Sequence, residues 1–340
     1  MEIKNICFDL ASVPATAGYE DAVVLKLKSY IEKHMPCYTD RLGNLIGTIG
    51  EGELHILLDA HIDQVGLVVR GIDDKGFLLI DKIGSADIRT LTGAEVTVHA
   101  NKELFGVICS VPPHLQSGDG KADINISTMA VDIGFSKAEV EKLVKIGDRI
   151  TLRNFQYELL GNNISSSAFD DRCCAAVIIG VLDLIKDKLK NVKLSVSFST
   201  QEEVGCRGAG AAAFALKPDY AVVLDVGFGD DPYTDKASTI ALGKGPSIGI
   251  SPVLDKNFTD EITDIAERKG IPYQHDVMGA RTGTDADVIS NSCAGVKTAL
   301  ISVPLRYMHT ANEIINIDDV INTVKLVAEI ISEKERQSNA

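Results

Sequence analysis

Helical and apolar strand patterns alternate along the chain after Ser165, and this alternation constrains the fold more than any other feature of the sequence. Apolar residues at helical spacing predict three long helices, at roughly Arg172–Lys188, Asn257–Lys269 and Ile317–Lys334. Short apolar runs between them predict strands, at Lys193–Ser199, Tyr220–Asp225 and Thr298–Val303. Strands that are apolar on both sides need a helical layer on each face. The pattern therefore predicts an α/β domain with helices on both faces of a sheet.

The middle of the chain has a different texture. From about Val65 to Leu160 many short β-like runs are separated by glycine-rich turns, with one helical pattern at Lys137–Val144. These runs predict a mostly β domain of barrel type. We expect residues 1–66 and 161–340 to form one α/β domain, with residues 67–160 as a β-rich insertion.

The N-terminal segment provides the remaining elements of the α/β domain. A helical pattern at Tyr19–Ile31 is followed by two extended runs, Asn44–Ile49 and Leu54–Leu58. Between these runs lies Gly50-Glu51-Gly52, a triplet typical of a tight turn. The spacing predicts a hairpin.

Composition excludes several classes of function. The chain has 48 Asp+Glu against 34 Lys+Arg and a formal net charge of −14, whereas a nucleic-acid binder needs surplus basic surface. No apolar run approaches the roughly 18 residues of a membrane span, and Met1–Asn5 is not a basic region followed by an apolar one. We expect a cytoplasmic protein without a nucleic-acid or membrane partner. Seven cysteines without CxxC spacing predict small buried thiols rather than disulfides or a zinc knuckle.

Carboxylates and imidazoles follow the predicted strands. They stand directly after three apolar runs and in two further segments, one before a long helix and one after the last strand: His61, Asp63, Glu202, Glu203, Asp225, Asp170, Asp171 and His309. In an open α/β sheet, ligands bind at the edge formed by the carboxyl ends of the strands. The sequence therefore predicts a polar site at that edge.

Each of these side chains has an alternative role. A lone His61 or His309 is more often a hydrogen-bonded structural imidazole, and Asp170 or Asp171 could cap the helix that follows. Glu202 and Glu203 could form a solvated corner. Their combination favours chemistry, because several carboxylates at one edge repel one another unless a cation neutralises them. Histidine and carboxylate ligands without a thiolate suit zinc, cobalt or manganese.

The motifs resemble those of the M42 family of dinuclear metallo-aminopeptidases, which form TET-type assemblies and include relatives labelled glutamyl aminopeptidase or endoglucanase. The matching pieces occur in family order along nearly the whole chain: His61-Ile62-Asp63, Ala168-Phe169-Asp170-Asp171-Arg172, Gln201-Glu202-Glu203-Val204-Gly205 with Arg207-Gly208-Ala209, Asp225-Val226, Gly283-Thr284-Asp285-Ala286 and Arg306-Tyr307-Met308-His309 with Glu313.

The resemblance implies a zinc-peptidase-like catalytic domain with two divalent metal ions per subunit. Asp170 would bridge the ions, with His61 and Asp225 completing one site and Glu203 and His309 the other. Asp63 would orient the imidazole of His61, as metal-bound histidines commonly require. Glu202 would be the general base. Asp285 has two open roles, near the substrate pocket or as the cap of the next helix.

An aminopeptidase acting on the N-terminal residues of peptides is the expected function. A glycosidase of the endoglucanase type also needs two carboxylates, but the chain has no Trp and only 5% aromatic residues to stack on sugars. A non-catalytic metal-binding assembly protein would have no use for a base beside Glu203. The resemblance also implies self-association into a large homo-oligomer, a dodecamer, and we expect the β-rich insertion to serve it.

Overall fold

The computed structural model describes residues 2–110, 125–185, 189–235 and 239–338. Helices within these ranges are α1 (Ile3–Ala11), α2 (Asp21–Ile31), α3 (Lys137–Leu143), α4 (Phe169–Ile185), α5 (Arg207–Leu216), α6 (Lys256–Lys269), α7 (Ala286–Ile289) and α8 (Ile317–Gln337). The first strands are β1 (Cys37–Thr39), β2 (Leu45–Ile49), β3 (Leu54–His61), β4 (Gly66–Ile72), β5 (Leu78–Ile83), β6 (Glu95–His99), β7 (Glu103–Cys109), β8 (Ala130–Asp132) and β9 (Arg149–Leu152). The later strands are β10 (Tyr157–Glu158), β11 (Asn163–Ser166), β12 (Val192–Ser199), β13 (Tyr220–Phe228), β14 (Ser247–Ile250), β15 (Gln274–Val277), β16 (Lys297–Arg306) and β17 (Glu313–Asn316).

A mixed sheet forms the larger unit, with β1, β2, β12, β3, β13, β16, β17, β11 and β10 side by side and β14 and β15 branching from β16. The central strands β12, β3, β13 and β16 are parallel neighbours. Side chains alternate across such a sheet: Ile56 and Leu58 pack into the core with α4 and α8, whereas Leu57 packs with α5 and α7 on the opposite face. The predicted α/β domain with helices on both faces is confirmed.

The predicted hairpin at Gly50-Glu51-Gly52 is wrong. Strand β12 lies between β2 and β3, antiparallel to one and parallel to the other. Gly50 and Gly52 instead leave room for the start of β12, which lies against them. A Cβ on Gly50 would lie 2.2 Å from the carbonyl oxygen of Val192, and one on Gly52 would lie 1.8 Å from that of Asn191. A hairpin turn and a close approach of another strand both favour residues without a Cβ, so the two produce the same local sequence pattern.

The second unit is a closed barrel in which β4, β5, β8, β7, β6 and β9 follow one another. Its interior is a separate apolar cluster that includes Leu67, Ile80 and Val98 on the strands and Val140 on α3. The predicted barrel-like insertion is confirmed, while the exact domain boundaries stay a prediction. Its first strand begins five residues after β3 ends, so the barrel stands directly beside the carboxyl edge of the sheet.

The helix predictions agree with the structure apart from their ends. Helix α4 begins at Phe169, and the last three residues of the predicted helix, 186–188, lie outside the described residues. No helix in the described ranges is both long and apolar enough to cross a membrane.

All seven cysteines are free thiols, and Cys7, Cys173 and Cys174 are buried as expected. The prediction of buried thiols is wrong for the other four. Cys293 is exposed, and the remaining three are partly exposed: Cys37, Cys109 and Cys206.

Candidate metal centre

The parallel register brings the predicted site residues to one edge of the sheet. His61 is the last residue of β3 and pairs with Ser199, the last residue of β12, so Glu202 and Glu203 follow at the same level. Asp225 lies within β13 rather than at its end, since that strand continues to Phe228 alongside β16. His309 follows β16 by three residues. Four consecutive parallel strands thus contribute the side chains, as expected for an α/β sheet.

Asp170 lies between two groups of potential ligands. Its Oδ1 is 3.0 Å from Nε2 of His61, and its Oδ2 is 3.1 Å from Nε2 of His309. Asp225 completes the first group, with Oδ1 4.0 Å from Nε2 of His61. Glu203 completes the second, with Oε1 3.3 Å from Nε2 of His309. Within each group the ligand atoms lie within 4.8 Å of one another, and Asp170 belongs to both groups.

A buried carboxylate, that of Glu313, holds the backbone around Asp170. Glu313 belongs to the motif around His309, but no role in the site was predicted for it from the sequence. Glu313, the first residue of β17, accepts hydrogen bonds from the backbone N–H groups of Asp170, at 3.1 Å, and His309, at 3.0 Å. One side chain therefore fixes the positions of two potential ligands relative to each other. The sequence signal was the spacing of four residues between His309 and Glu313, but the contact with Asp170 requires the fold.

Asp63 has two kinds of contact. Its carboxylate oxygen lies 3.6 Å from Nδ1 of His61, but that nitrogen is closer to the backbone oxygen of Asp63, at 3.2 Å. The carboxylate instead accepts hydrogen bonds from the backbone N–H groups of Glu202, at 2.9 Å, and Glu203, at 3.2 Å. Asp63 thus contacts the imidazole most closely through its backbone, and its side chain binds the turn after β12.

The turn after β12 lets two adjacent glutamates face one site. The chain leaves the extended conformation at Gln201, where φ is 60°, and turns again at Gly205, where φ is 114°. Neighbouring residues of a straight strand would point to opposite faces. Glu203 is nearly buried, with 4% of its side chain exposed, and Glu202 is partly buried, which argues against a solvated acidic corner.

The proposed ligands strongly influence one another's protonation. Burial disfavours the charged form of His61, but the carboxylates of Asp170 and Asp63 outweigh it and hold the pKa of the imidazole well above its usual value. Burial raises the pKa of Asp225, and burial also raises that of Glu202 to about 7, with further contributions from Asp285 and Glu203. Carboxylates crowded in a poorly solvated place bind protons when no other cation is present. The same negative potential attracts divalent cations.

The donor atoms fit two divalent cations. Two imidazole nitrogens and the carboxylates of Asp170, Glu203 and Asp225 form a set without thiolates, and such sets suit zinc, cobalt or manganese. Ligand atoms of one tetrahedral zinc ion lie about 3.4 Å apart when the bonds are roughly 2.0–2.2 Å long. The observed separations of 3.0–4.0 Å bracket that value. Oε1 of Glu203 is also buried without accepting a hydrogen bond from any described residue, as expected of an atom that faces a cation.

The alternative roles as helix caps do not agree with the contacts. Neither carboxylate oxygen of Asp171 accepts a hydrogen bond from a described residue, and the carboxylate of Asp170 contacts His61 and His309. Asp285 precedes α7 without capping it. Its carboxylate instead lies 2.7 Å from Oγ of Ser199, which is also 3.2 Å from the carboxylate of Asp59, so the single hydroxyl proton is shared between the two acceptors.

The sequence alone did not reveal that Asp59 and Asp285 are linked through Ser199. Asp59 and Asp285 are buried. Burial and the neighbouring Asp59 raise the pKa of Asp285, and burial raises the pKa of Asp59 to about 6. Asp59, His61 and Asp63 occupy alternate positions at the end of β3. That period of two was a signal that all three share a side of the strand.

Comparisons with known proteins were made with the sequence and with the fold. The profile of the M42 glutamyl aminopeptidase family matches residues 43–326. The lysyl aminopeptidase of Pyrococcus furiosus is 32% identical over 333 residues, which cover 94% of each chain. An aminopeptidase from the archaeon Desulfurococcus kamchatkensis has a TM-score of 0.91 at 31% identity, covering 97% of this chain and 94% of that one. The TET1 peptidase of Pyrococcus horikoshii, which can assemble into a tetrahedron or a large octahedral shell, has a TM-score of 0.86 at 33% identity, covering 96% and 98%.

Proposed function

The chain belongs to the M42 glutamyl aminopeptidase family of peptide hydrolases, and we propose that it is a dinuclear metallo-aminopeptidase that removes N-terminal residues from peptides. The observation that carries the proposal is the position of Asp170, whose two oxygens each belong to a different group of histidine and carboxylate ligands. A single bridging carboxylate can hold two cations close together because it partly offsets their repulsion.

In this proposal each ion has three protein ligands. His61 and Asp225 would hold one ion with Asp170, and Glu203 and His309 would hold the other. When bound, the two ions would polarise the scissile carbonyl and lower the pKa of water. Zinc, cobalt and manganese are the candidates for the metal. Three protein ligands at each ion leave positions for water and substrate.

Glu202 is the proposed general base. Burial, together with Asp285 and Glu203, raises the pKa of Glu202 above that of an ordinary carboxyl group, and a carboxylate with a raised pKa accepts a proton more readily. Glu202 would take a proton from the water that attacks the carbonyl carbon and pass it to the nitrogen of the leaving amine. The backbone N–H groups of Glu202 and Glu203 both donate to the carboxylate of Asp63, which fixes the positions of the base and the ligand relative to each other.

We further propose that the chain works as a large homo-oligomer, a dodecamer of the TET type, in which the barrel supplies contacts between subunits. The likeness to the TET1 peptidase supports this. Large apolar side chains are exposed on the barrel, among them Phe105 at 55% and Ile146 at 73%. None of the proposed ligands lies on the barrel, so the metal centre does not account for its presence. A cytoplasmic location stays a prediction.

Hydrolysis of a panel of aminoacyl anilides and short peptides tests the function directly. The protein would be stripped with a chelator and then supplied with zinc, cobalt or manganese in turn. We expect release of N-terminal residues only after a metal is added. Blocking the N terminus of the peptide by acetylation should abolish turnover, whereas amidation of the C terminus should not. Equal activity with and without metal would contradict the proposed metal centre, and cleavage of acetylated peptides would contradict an aminopeptidase.

A further inference from the structure

A thiol contacts the proposed general base. Cys206 lies at the start of α5, in a left-handed backbone conformation with φ at 52°. Its Sγ is 3.3 Å from Oε1 of Glu202. Cys206 is partly exposed. The thiol takes no part in the proposed peptide hydrolysis.

A buried carboxylate faces the same place from another element. Asp285 is 2% exposed, and its Oδ1 accepts no hydrogen bond from any described residue. Glu202, Cys206 and Asp285 each offer one ligand atom, and these three atoms lie within 4.8 Å of one another. A sulfur and an oxygen bound to one tetrahedral zinc ion would be about 3.6 Å apart. The separation between Cys206 and Glu202 is close to that value.

We propose that Glu202, Cys206 and Asp285 form a third cation site, selective for thiophilic divalent ions such as Zn²⁺ and Cd²⁺. Binding would release to the solvent the proton of the thiol and any proton that Glu202 or Asp285 holds, so the three ligands together would carry three negative charges. The thiolate distinguishes this site from the bridged pair, whose ligands are nitrogen and oxygen atoms only.

A cation suits this thiol better than an oxidant or an alkylating agent does. Burial, together with Asp285 and Glu202, raises the pKa of Cys206 well above its usual value. A thiol that stays protonated is a poor nucleophile. The same carboxylates attract a divalent ion, which replaces the proton instead of requiring its prior loss.

The consequence for activity rests on the proposed function. An ion held by Glu202 would occupy the oxygen that accepts the proton from water, so excess zinc should inhibit the enzyme that zinc activates. Activity should rise while the bridged pair is filled and fall again at higher zinc concentration. A protein loaded with manganese should show only the second phase when Cd²⁺ is added.

Cadmium binding tests the site itself. The manganese-loaded protein is titrated with Cd²⁺ while the ultraviolet cadmium–thiolate absorption is recorded, and bound cadmium is counted by elemental analysis after gel filtration. The variants are Cys206→Ser and Cys206→Ala. The matched control is Cys293→Ser, which alters an exposed cysteine that also has a left-handed backbone, with φ at 55°. The remaining cysteines are present in every sample, so any cadmium–thiolate absorption that they cause is the same in all of them.

We expect the wild type and Cys293→Ser to bind cadmium with thiolate absorption and to lose activity together. Both Cys206 variants should lose that absorption and need at least about tenfold more Cd²⁺ for inhibition, since even the loss of an outer contact weakens metal binding about 10–100-fold. Absorption that is unchanged in the Cys206 variants would overturn the site. Absorption that depends on Cys206 without any loss of activity would uphold the site and contradict Glu202 as the base instead.

Discussion

At the scale of single residues, the carboxylates of the centre divide into those that face the proposed ions and those that hold the backbone. In the proposed centre Asp170, Asp225 and Glu203 would face the ions, whereas Asp63 and Glu313 accept backbone N–H groups. Loss of a member of the first group should remove metal. Loss of a member of the second should misplace several ligands at once.

Glu202→Gln should retain both metal ions and lose most of the activity, because the amide keeps the shape of the side chain but cannot accept the proton. Removal of a general base costs about a hundredfold to ten-thousandfold in rate. Steady-state kinetics and metal content measured on the same sample check this. A variant with full metal content and a near wild-type rate would show that another group is the base.

Asp170→Ala should lose more metal than any other single substitution in the centre, since both groups of ligands share this residue. Asp225→Ala, which removes a ligand from one group only, is the matched comparison. After dialysis against buffer without metal, elemental analysis should find at least one ion per chain in Asp225→Ala and less than one in Asp170→Ala. Two ions per chain in Asp170→Ala would exclude the bridging role.

The sequence could suggest the candidate ligands because each stands in a short polar motif beside an apolar strand or a long helix, although the five are spread from His61 to His309. It could not predict the contact between Ser199 and Asp285, which are 86 residues apart, or the one between Asp170 and Glu313, which are 143 residues apart. Such contacts depend on strand order and register, and local patterns contain neither.

At the scale of elements, the turn between β12 and α5 positions the glutamates. Asn44 fastens this turn from the side: its Oδ1 accepts the N–H of Thr200 at 2.9 Å, and its Nδ2 donates to the carbonyl of Gly208 at 3.0 Å. A Cβ on Gly208 would lie 2.2 Å from Oδ1 of Asn44. The turn therefore requires glycine at this position of the helix.

Gly208→Ala should destabilise the protein by about 1–3 kcal/mol, the usual cost of overpacking, and should lower kcat by moving Glu202. The matched control is Gly210→Ala on the same helix, where an added Cβ meets only Val288 at 3.6 Å. That control should be neutral or stabilise the fold by about 0.4–1 kcal/mol. Urea unfolding and steady-state kinetics of both variants check this. Equal changes in stability and kcat for Gly208→Ala and Gly210→Ala would show that Asn44 does not control the turn.

His55, a buried residue of β3 whose ring contacts Ser195 on β12, makes the free energy of unfolding depend on pH. Burial and, to a lesser extent, Lys193 lower the pKa of His55 from 6.5 to about 4. The unfolded chain then binds more protons between these pH values, so stability falls as the pH drops from about 6.5 to about 4. His55→Gln should reduce this slope while keeping a hydrogen bond to Ser195. Thermal unfolding at several pH values checks it, and an unchanged slope would assign the pH dependence to other groups.

Strand order was the main feature of the elements that the sequence did not reveal. The strands that the apolar runs predicted are present, but the sequence did not predict β1, β10, β11, β14, β15 and β17. The turn at Gly50-Glu51-Gly52 was assigned to a hairpin. A hairpin turn and a close approach of β12 both require glycine, so the local sequence could not distinguish them.

At the scale of the whole molecule, the barrel and the sheet have separate apolar cores. The barrel therefore does not depend on the sheet for burial of its interior, and its outer surface is available for other subunits. The proposed assembly assigns that surface to contacts between copies of the chain.

Light scattering at micromolar concentration should give a mass near twelve subunits. Ile146→Asp or Phe105→Asp on the barrel should produce smaller species, because a charge in an apolar interface is costly. Leu25→Asp is the control, since Leu25 is similarly exposed, at 69%, but lies on α2. A monomeric wild type would contradict the assembly. An equal response of all three variants would contradict a special role of the barrel.

The position of β12 between β2 and β3 also determines the order of events during biosynthesis. Strand β3 has two neighbours in the sheet, β12 and β13, and both follow the barrel in the chain. The hydrogen bond from His55 to Ser195 spans 140 residues, which a ribosome takes roughly 7–28 s to add at about 5–20 residues per second. The nascent barrel is complete well before that, while the apolar strand preceding it still lacks both partners. The length of the insertion thus determines how long β3 stays unpaired during synthesis, and for that time it is accessible to chaperones and to other nascent chains.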